Sequence, residues 1–299
     1  MAVLKNELVW SHSRAKTFQW CRRAYWYTYY GSWGGWEADA PEATRNAWLQ
    51  KKLTSVPAWV GTLVHGIAEN LLKEAIHGEN PLEDEAADRA VRTANRQIRE
   101  SERQLGRPGR ATRFAEHYYD EKVEWDPLVD EIERQVRGLF SNRIFRRLLE
   151  VPDRILEVEE LRRFPVGDAE VYVSLDVLVS DGQGGAVILD WKTGEAHKDE
   201  DIAAQLGVYG LYCAGPLGLD PSRLVAMHIN LRHATETRHP VGPAEVALAQ
   251  EEIARSMTEL RSVLTDVEQN IAGEEFFPLL PDGDPRCVSC RFRRSCGRG

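Results

Sequence analysis

Apolar and polar positions divide the 299-residue chain into two regimes. In the first half, apolar residues recur at three- and four-residue spacing, the mark of amphipathic helix. "SHSRAKTFQWCRRAYWYTYY" predicts a helix over 11–30, with Ser11 or Ser13 as its N-cap. A loop-like stretch follows, and "WVGTLVHGIAENLLKEAIHG" predicts a second helix over 59–78 that ends at a glycine. Two or three further helices fill 82–150. From residue 155 the period shortens to two. "ILEVEELRRFPV" (155–166) and "EVYVSLDVLVS" (170–180) read as strands, "DGQGG" (181–185) as a turn, and "AVILDW" as a third strand. A helix over 199–213, a strand over 223–231, a short strand "ETRHPV" and a long helix over 243–272 complete the pattern. The order implies one α/β domain in three parts. These are a mainly helical region (1–150), a β-β-β-α-β core (151–242), and a C-terminal helix and tail (243–299).

Charged residues interrupt the apolar strands at two places. Asp190 ends the run "AVILD", and Lys192 follows two residues later. The two share one face of the strand, with Trp191 opposite. A hairpin closed about Gln183 sets Ser180 against Ala186 and Asp176 against Asp190, with Cβ atoms about 4.5–5.5 Å apart. Asp176, Asp190 and Lys192 then converge. Two carboxylates that close repel each other unless a cation joins them, and hard oxygen ligands suit Mg²⁺ or Mn²⁺. Asp176 also sits inside "VYVSLDVLV", where an unpaired carboxylate is costly. The alternatives are a shifted register, which leaves Asp176 solvated, and a plain surface ion pair at Asp190 and Lys192.

An acid followed by D-x-K on the next strand resembles the signature of the PD-(D/E)XK nuclease superfamily. "QLGVY" after "LDWKTG", with Gln205 and Tyr209 one turn apart on a helix, resembles the Q-x-x-x-Y motif of its RecB-like branch. "GTLVHGIAE" resembles that branch's upstream G-x-x-x-H helix, with His65 as the histidine. Leu175 stands where the simplest motif has proline. The resemblance covers about 155–240, the His65 helix and both termini, whereas 80–150 matches no named pattern. It implies a restriction-endonuclease-like core, a mixed central sheet flanked by helices. It also implies a metal-dependent DNase, an exonuclease on single-stranded or unwound DNA; the alternatives are a catalytically silent nucleic-acid-binding or assembly module and a zinc-stabilised protein. In the active reading, Asp176, Asp190, His65 and the Trp191 carbonyl hold Mg²⁺ or Mn²⁺. Lys192 orients the attacking water, and Gln205 and Tyr209 support the site. Glu159, on the preceding strand, is either a further acid of the site or a solvated edge residue.

Five cysteines are present: Cys21, Cys213, Cys287, Cys290 and Cys296. The tail "CVSCRFRRSC" places three thiols at metal-binding spacing. One N-terminal cysteine plus a C-terminal C-x2-C-x5-C resembles the iron–sulfur nucleases, namely the AddB nuclease domain and the nucleases of CRISPR spacer acquisition. Four thiolates hold either 4Fe–4S or Zn²⁺, and the resemblance favours a 4Fe–4S cluster on Cys21, Cys287, Cys290 and Cys296. Cys213 reads as a buried free thiol.

Composition adds bounds. The net charge of −9 argues against indiscriminate adhesion to nucleic acid, yet 286–299 carries five arginines (Arg286, Arg291, Arg293, Arg294 and Arg298) and no acid. These are candidate phosphate contacts, and Trp20, Tyr25, Trp26, Trp33 and Trp36 either stack on unpaired bases or pack around the cluster. No run of about 18 apolar residues and no apolar signal segment is present, so the expectation is a cytoplasmic protein without membrane contact. No G-x-x-x-x-G-K-[ST] loop occurs. The resemblance implies DNA as partner, unwound by a separate helicase.

Overall fold

The computed structural model describes residues 4–104, 111–194 and 199–298. Residues 105–110, inside the region expected to be helical, lie outside the described residues. The helical half contains α1 (His12–Trp20), α2 (Arg22–Trp26), α3 (Glu42–Lys51), α4 (Val56–Ile76) and α5 (Glu83–Gln104). It continues through α6 (Ala115–Tyr118), α7 (Trp125–Ser141) and α8 (Arg143–Glu150). The strands are β1 (Ile155–Val158), β2 (Arg162–Val166), β3 (Ala169–Val173), β4 (Val177–Ser180) and β5 (Ala186–Lys192). Then come α9 (Asp199–Ala214), β6 (Leu224–Asn230), β7 (Thr235–Pro240) and α10 (Pro243–Ser262). This is the mixed α/β architecture the sequence implies.

The main sheet runs β1-β4-β5-β6-β7. Only β5 and β6 are parallel; the other neighbours are antiparallel. Strand β5 lies at the centre with both faces covered. Ala186 and Ile188 face one core with α9 and α10, whereas Leu189 and Trp191 face a second core with α4, α7 and α8. Asp190 and Lys192 continue the α9 face, and Trp191 packs on Phe145 from the other side. The β4–β5 register matches the expected hairpin, with Val177 opposite Leu189 and Ser180 opposite Ala186.

Four boundaries differ from the sequence expectation. The helix over 11–30 breaks at Cys21, which is extended (φ −162°, ψ 114°) and caps α2 through its own sulfur. The strand over 155–166 is two strands, because Glu159 turns left-handed (φ 49°) between them. The strand over 170–180 also divides. Strand β3 leaves to pair with β2, and β4 stays beside β5. The alternation runs through both breaks, so periodicity could not reveal them. The last helix stops at Ser262, and an Asp266–Ile271 bridge turns the chain where polar residues offer no further apolar face. No described helix is long and apolar enough to cross a membrane.

Candidate active site

The break before β4 frees Asp176 from the sheet ladder. Its Oδ2 accepts the Trp191 backbone N–H at 2.7 Å, so the carboxylate sits where a strand partner's carbonyl would otherwise be. Asp190 is wholly buried and closes on Lys192, whose Nζ lies 2.8 Å from Oδ1 and 2.7 Å from Oδ2. Lys192 also reaches Gln205 Oε1 at 3.4 Å, and Gln205 Nε2 donates to the Tyr209 hydroxyl at 2.6 Å. Asp190, Lys192, Gln205 and Tyr209 thus form one connected chain from β5 to α9. Burial, and then the charges of Asp176 and Asp190, hold the Tyr209 hydroxyl well above its ordinary range, so it stays neutral.

Helix α4 brings His65 to the same end of the sheet. Its Nδ1 lies 3.3 Å from Glu159 Oε1 and 3.5 Å from Asp176 Oδ2. Ligand atoms of His65, Glu159 and Asp176 all fall within 4.8 Å of one another. Burial pushes the Asp176 carboxyl up to about 7, and the charges of Asp190 and Glu159 add to that against the pull of His65 and Lys192. Burial lowers His65, but Asp176 and Glu159 outweigh it and leave the imidazole raised. A buried carboxylate, a half-buried one and an imidazole make a donor set that fits a divalent cation.

The grouping differs from the expected ligand set in two respects. Glu159 joins His65 and Asp176, while Asp190 is turned onto Lys192. Glu159 is aimed there by its left-handed backbone, whose N–H is shared between the Leu175 and Asp176 carbonyls at 3.0 and 3.1 Å. The sequence leaves Glu159 open, because "EVEELRR" scans as an edge strand. His228 belongs to none of the motifs above. It pairs with Asp190 across the parallel β5–β6 ladder, and its Nε2 stands 4.0 Å from Asp190 Oδ2. A histidine inside the apolar run "LVAMHIN" was the available signal.

Apart from these residues, Cys21, Cys287, Cys290 and Cys296 line one small cavity of about 20 Å³. All four are free thiols. Backbone N–H groups of Ala24 and Phe292 point at Cys21 Sγ and Cys290 Sγ, each at 3.4 Å. Among the described residues, the His65–Glu159–Asp176 set is the one group of three ligand atoms mutually within 4.8 Å, so no three of these sulfurs approach that closely. Cys213 lies apart, wholly buried on α9. Burial pushes its thiol up to about 12.

The tail arginines are largely occupied within the fold. Arg286 pairs with Asp284 and reaches the Trp20 carbonyl, Arg293 pairs with Glu121, and Arg298 pairs with Asp282. Arg294 lies over Tyr118, and Arg291 donates to the Lys51 and Leu53 carbonyls. The aromatics divide. Tyr25 packs against Phe18 and Phe277, and Trp26 donates its indole N–H to the Ala272 carbonyl. Trp20, Trp33 and Trp36 keep 37 %, 36 % and 41 % of their surface exposed.

The model of the PD-(D/E)XK nuclease superfamily matches residues 9–297. The crystal structure of SSO0001 is similar at 14% identity, over 76% of this chain and 94% of that chain, with a TM-score of 0.30. A likeness at that level carries no argument. No curated protein matches the sequence at a significant level.

Proposed function

Because the chain belongs to the PD-(D/E)XK nuclease superfamily, we propose that it is a metal-dependent deoxyribonuclease of the RecB-like branch, an exonuclease on single-stranded or unwound DNA. The observation that carries the reading is the meeting of His65, Glu159 and Asp176 beside the Asp190–Lys192–Gln205–Tyr209 chain. Sequence motifs from α4, β4, β5 and α9 converge on one end of the sheet.

Asp176, His65 and Glu159 are the residues that would hold Mg²⁺ or Mn²⁺. Asp190 and the Trp191 carbonyl complete the proposed set. In an antiparallel pair a residue's N–H and C=O face the same neighbour, and the Trp191 N–H faces Asp176. When bound, the cation would lower the pKa of a water and offset charge developing on the phosphate. Lys192 carries the protein's share of that work. Its ammonium is aimed by Asp190 and Gln205, and it is placed to orient the water and stabilise the phosphoryl oxygens. Gln205 is in turn positioned by the neutral Tyr209 hydroxyl.

The four cysteines are proposed to hold a structural 4Fe–4S cluster. Four thiolates suit either Zn²⁺ or 4Fe–4S, and the resemblance of the cysteine pattern to iron–sulfur nucleases favours the cluster. A silenced binding module would have lost an acid or the lysine, and all are present. A separate helicase, which the family resemblance implies, is the proposed source of unwound strand.

The test is anaerobic purification followed by digestion of an end-labelled oligonucleotide. The protein is expected to be brown, to contain iron and acid-labile sulfide, and to cleave with Mg²⁺ or Mn²⁺ but not with EDTA. Asp176→Asn should abolish cleavage. Cleavage unaffected by EDTA, or by Asp176→Asn, would refute the assignment.

A further inference from the structure

Two cations lie over the ring of Tyr29, and two more adjoin them. The Arg14 guanidinium lies 4.2 Å and the Lys51 ammonium 5.7 Å from its centroid, with Lys52 and Arg291 beside Lys51. No carboxylate of the described residues is ion-paired with any of the four. Burial, then the charges of Lys52, Arg14 and Arg291, pull Lys51 down to about 8. Crowding of like charge is unfavourable unless an anion shares it, and here it occurs on a chain whose net charge is −9. Next to the cluster opens a cavity of about 420 Å³, lined among others by Lys16, Thr17, Ser55, Ser289 and Arg291.

Two features connect this surface with unpaired bases and with the candidate active site. Trp33 and Trp36 form an exposed edge-to-face pair, ring centroids 5.2 Å apart. Their loop rests on Trp48, since a Cβ at Gly35 would meet Trp48 Cβ at 2.4 Å, and Lys52 lies 6.0 Å over the Trp48 ring. Beyond Ser55, the exposed residues of α4 before His65 are all short, namely Pro57, Ala58 and Thr62. Ten residues of helix span about 15 Å, a few nucleotides of strand.

We propose that this surface receives one unpaired nucleic-acid strand. Arg14, Lys51, Lys52 and Arg291 hold its phosphates, Trp33 and Trp36 stack on its bases, and the small-residue face of α4 leads it to His65. The proposal deepens the nuclease reading and rests on it for what happens at the end of the track.

The experiment measures binding of a labelled single-stranded oligothymidylate to the full-length protein by anisotropy, in EDTA, across a salt series. Cleavage of the same oligonucleotide with Mn²⁺ is measured in parallel. Lys51→Gln/Lys52→Gln should weaken binding about tenfold or more and flatten the log–log salt slope by about 1.4, since each single-strand phosphate contact contributes about 0.7. Lys51→Arg/Lys52→Arg should keep the wild-type slope, and so should Lys73→Gln/Lys122→Gln, which removes the same charge elsewhere. Trp33→Ala/Trp36→Ala should weaken binding at least about fivefold with the slope unchanged, because stacking releases no counterions. If wild type cleaves and Lys51→Gln/Lys52→Gln leaves affinity and slope as they were, the strand track is wrong and the nuclease reading stands. If wild type binds with a Lys51/Lys52-dependent slope and never cleaves, the track stands and the nuclease reading falls. Failure of wild type to bind the single strand also overturns the track.

Discussion

Asp176 carries the clearest pH signature of any residue in the site. Its pKa of about 7 lies above the ordinary 3.8, first because it is buried. The cation-free fold therefore keeps a proton there that the unfolded chain releases. Its stability is undiminished below the unfolded value and falls as pH rises from about 4 to about 7. A divalent cation must displace that proton, so its binding should tighten as pH rises through the same region. Calorimetric Mn²⁺ titration at pH 6 and pH 8 is expected to give the higher affinity at pH 8, with proton release visible at pH 6. Equal affinity at the two values would remove Asp176 from the ligand set. Glu159→Gln should weaken Mn²⁺ binding about tenfold or more, since it takes a charge from the donor set while keeping its shape. At this scale the sequence showed the ordered set from His65 to Tyr209. It offered the Asp190–Lys192 ion pair only as an alternative and left the inward turn of Glu159 open, because that turn depends on a left-handed backbone rather than on residue type.

Helix α4 is the element on which the site depends most. It presses against the end of β5 so closely that a Cβ at Gly61 would lie 2.9 Å from Thr193 Oγ1. Thr193 is held in turn, its carbonyl accepting from Gln135 Nε2 on α7 at 3.1 Å. Gly61→Val should lift α4 off this contact at about 1–3 kcal/mol of stability, and move His65 away from Asp176. The expected result is a modest fall in melting temperature with a much larger fall in cleavage rate. An unchanged rate in a folded Gly61→Val protein would mean that the spacing of α4 and β5 does not set the site. The elements themselves were mostly legible. The period change at 155 marked the start of the sheet, and the 181–185 turn gave the β4–β5 register correctly. The divisions at Glu159 and at 174–176 escaped because tertiary pairing, not alternation, decides which sheet a strand joins.

Across the whole molecule the two termini are fastened together. Arg23 pairs with Glu274 and donates to the Phe277 carbonyl, the Tyr27 hydroxyl donates to the Ser295 carbonyl at 2.8 Å, and Arg286 reaches the Trp20 carbonyl. The four cysteines lie inside this clasp. A cluster bound only by the folded chain adds its binding energy to folding. Cys21→Ala should therefore lose iron and stability as severely as Cys290→Ala, although Cys21 is far from the tail in sequence. Cys213→Ala should keep its iron and show only a small packing penalty. Iron, acid-labile sulfide and zinc assays on the three proteins check this, and retained iron in Cys21→Ala would contradict the joint site. Spacing marked the three tail cysteines, and Cys21 joined them only through the resemblance to iron–sulfur nucleases. The occupation of the arginines between them was not legible, because their partners lie far off in sequence: Glu121 for Arg293, the Tyr118 ring for Arg294, and the Lys51 and Leu53 carbonyls for Arg291.

The account turns on Lys192 as the cation that the β5 end aims at the scissile phosphate. The direct measurement is single-turnover cleavage of an end-labelled oligonucleotide by Lys192→Ala at saturating Mn²⁺, with iron content and melting temperature confirming the fold. The account predicts a rate at least about a hundredfold below wild type, the usual cost of losing one group aimed at transition-state charge, with Mn²⁺ still bound at the neighbouring acids. Cleavage at the wild-type rate would contradict it.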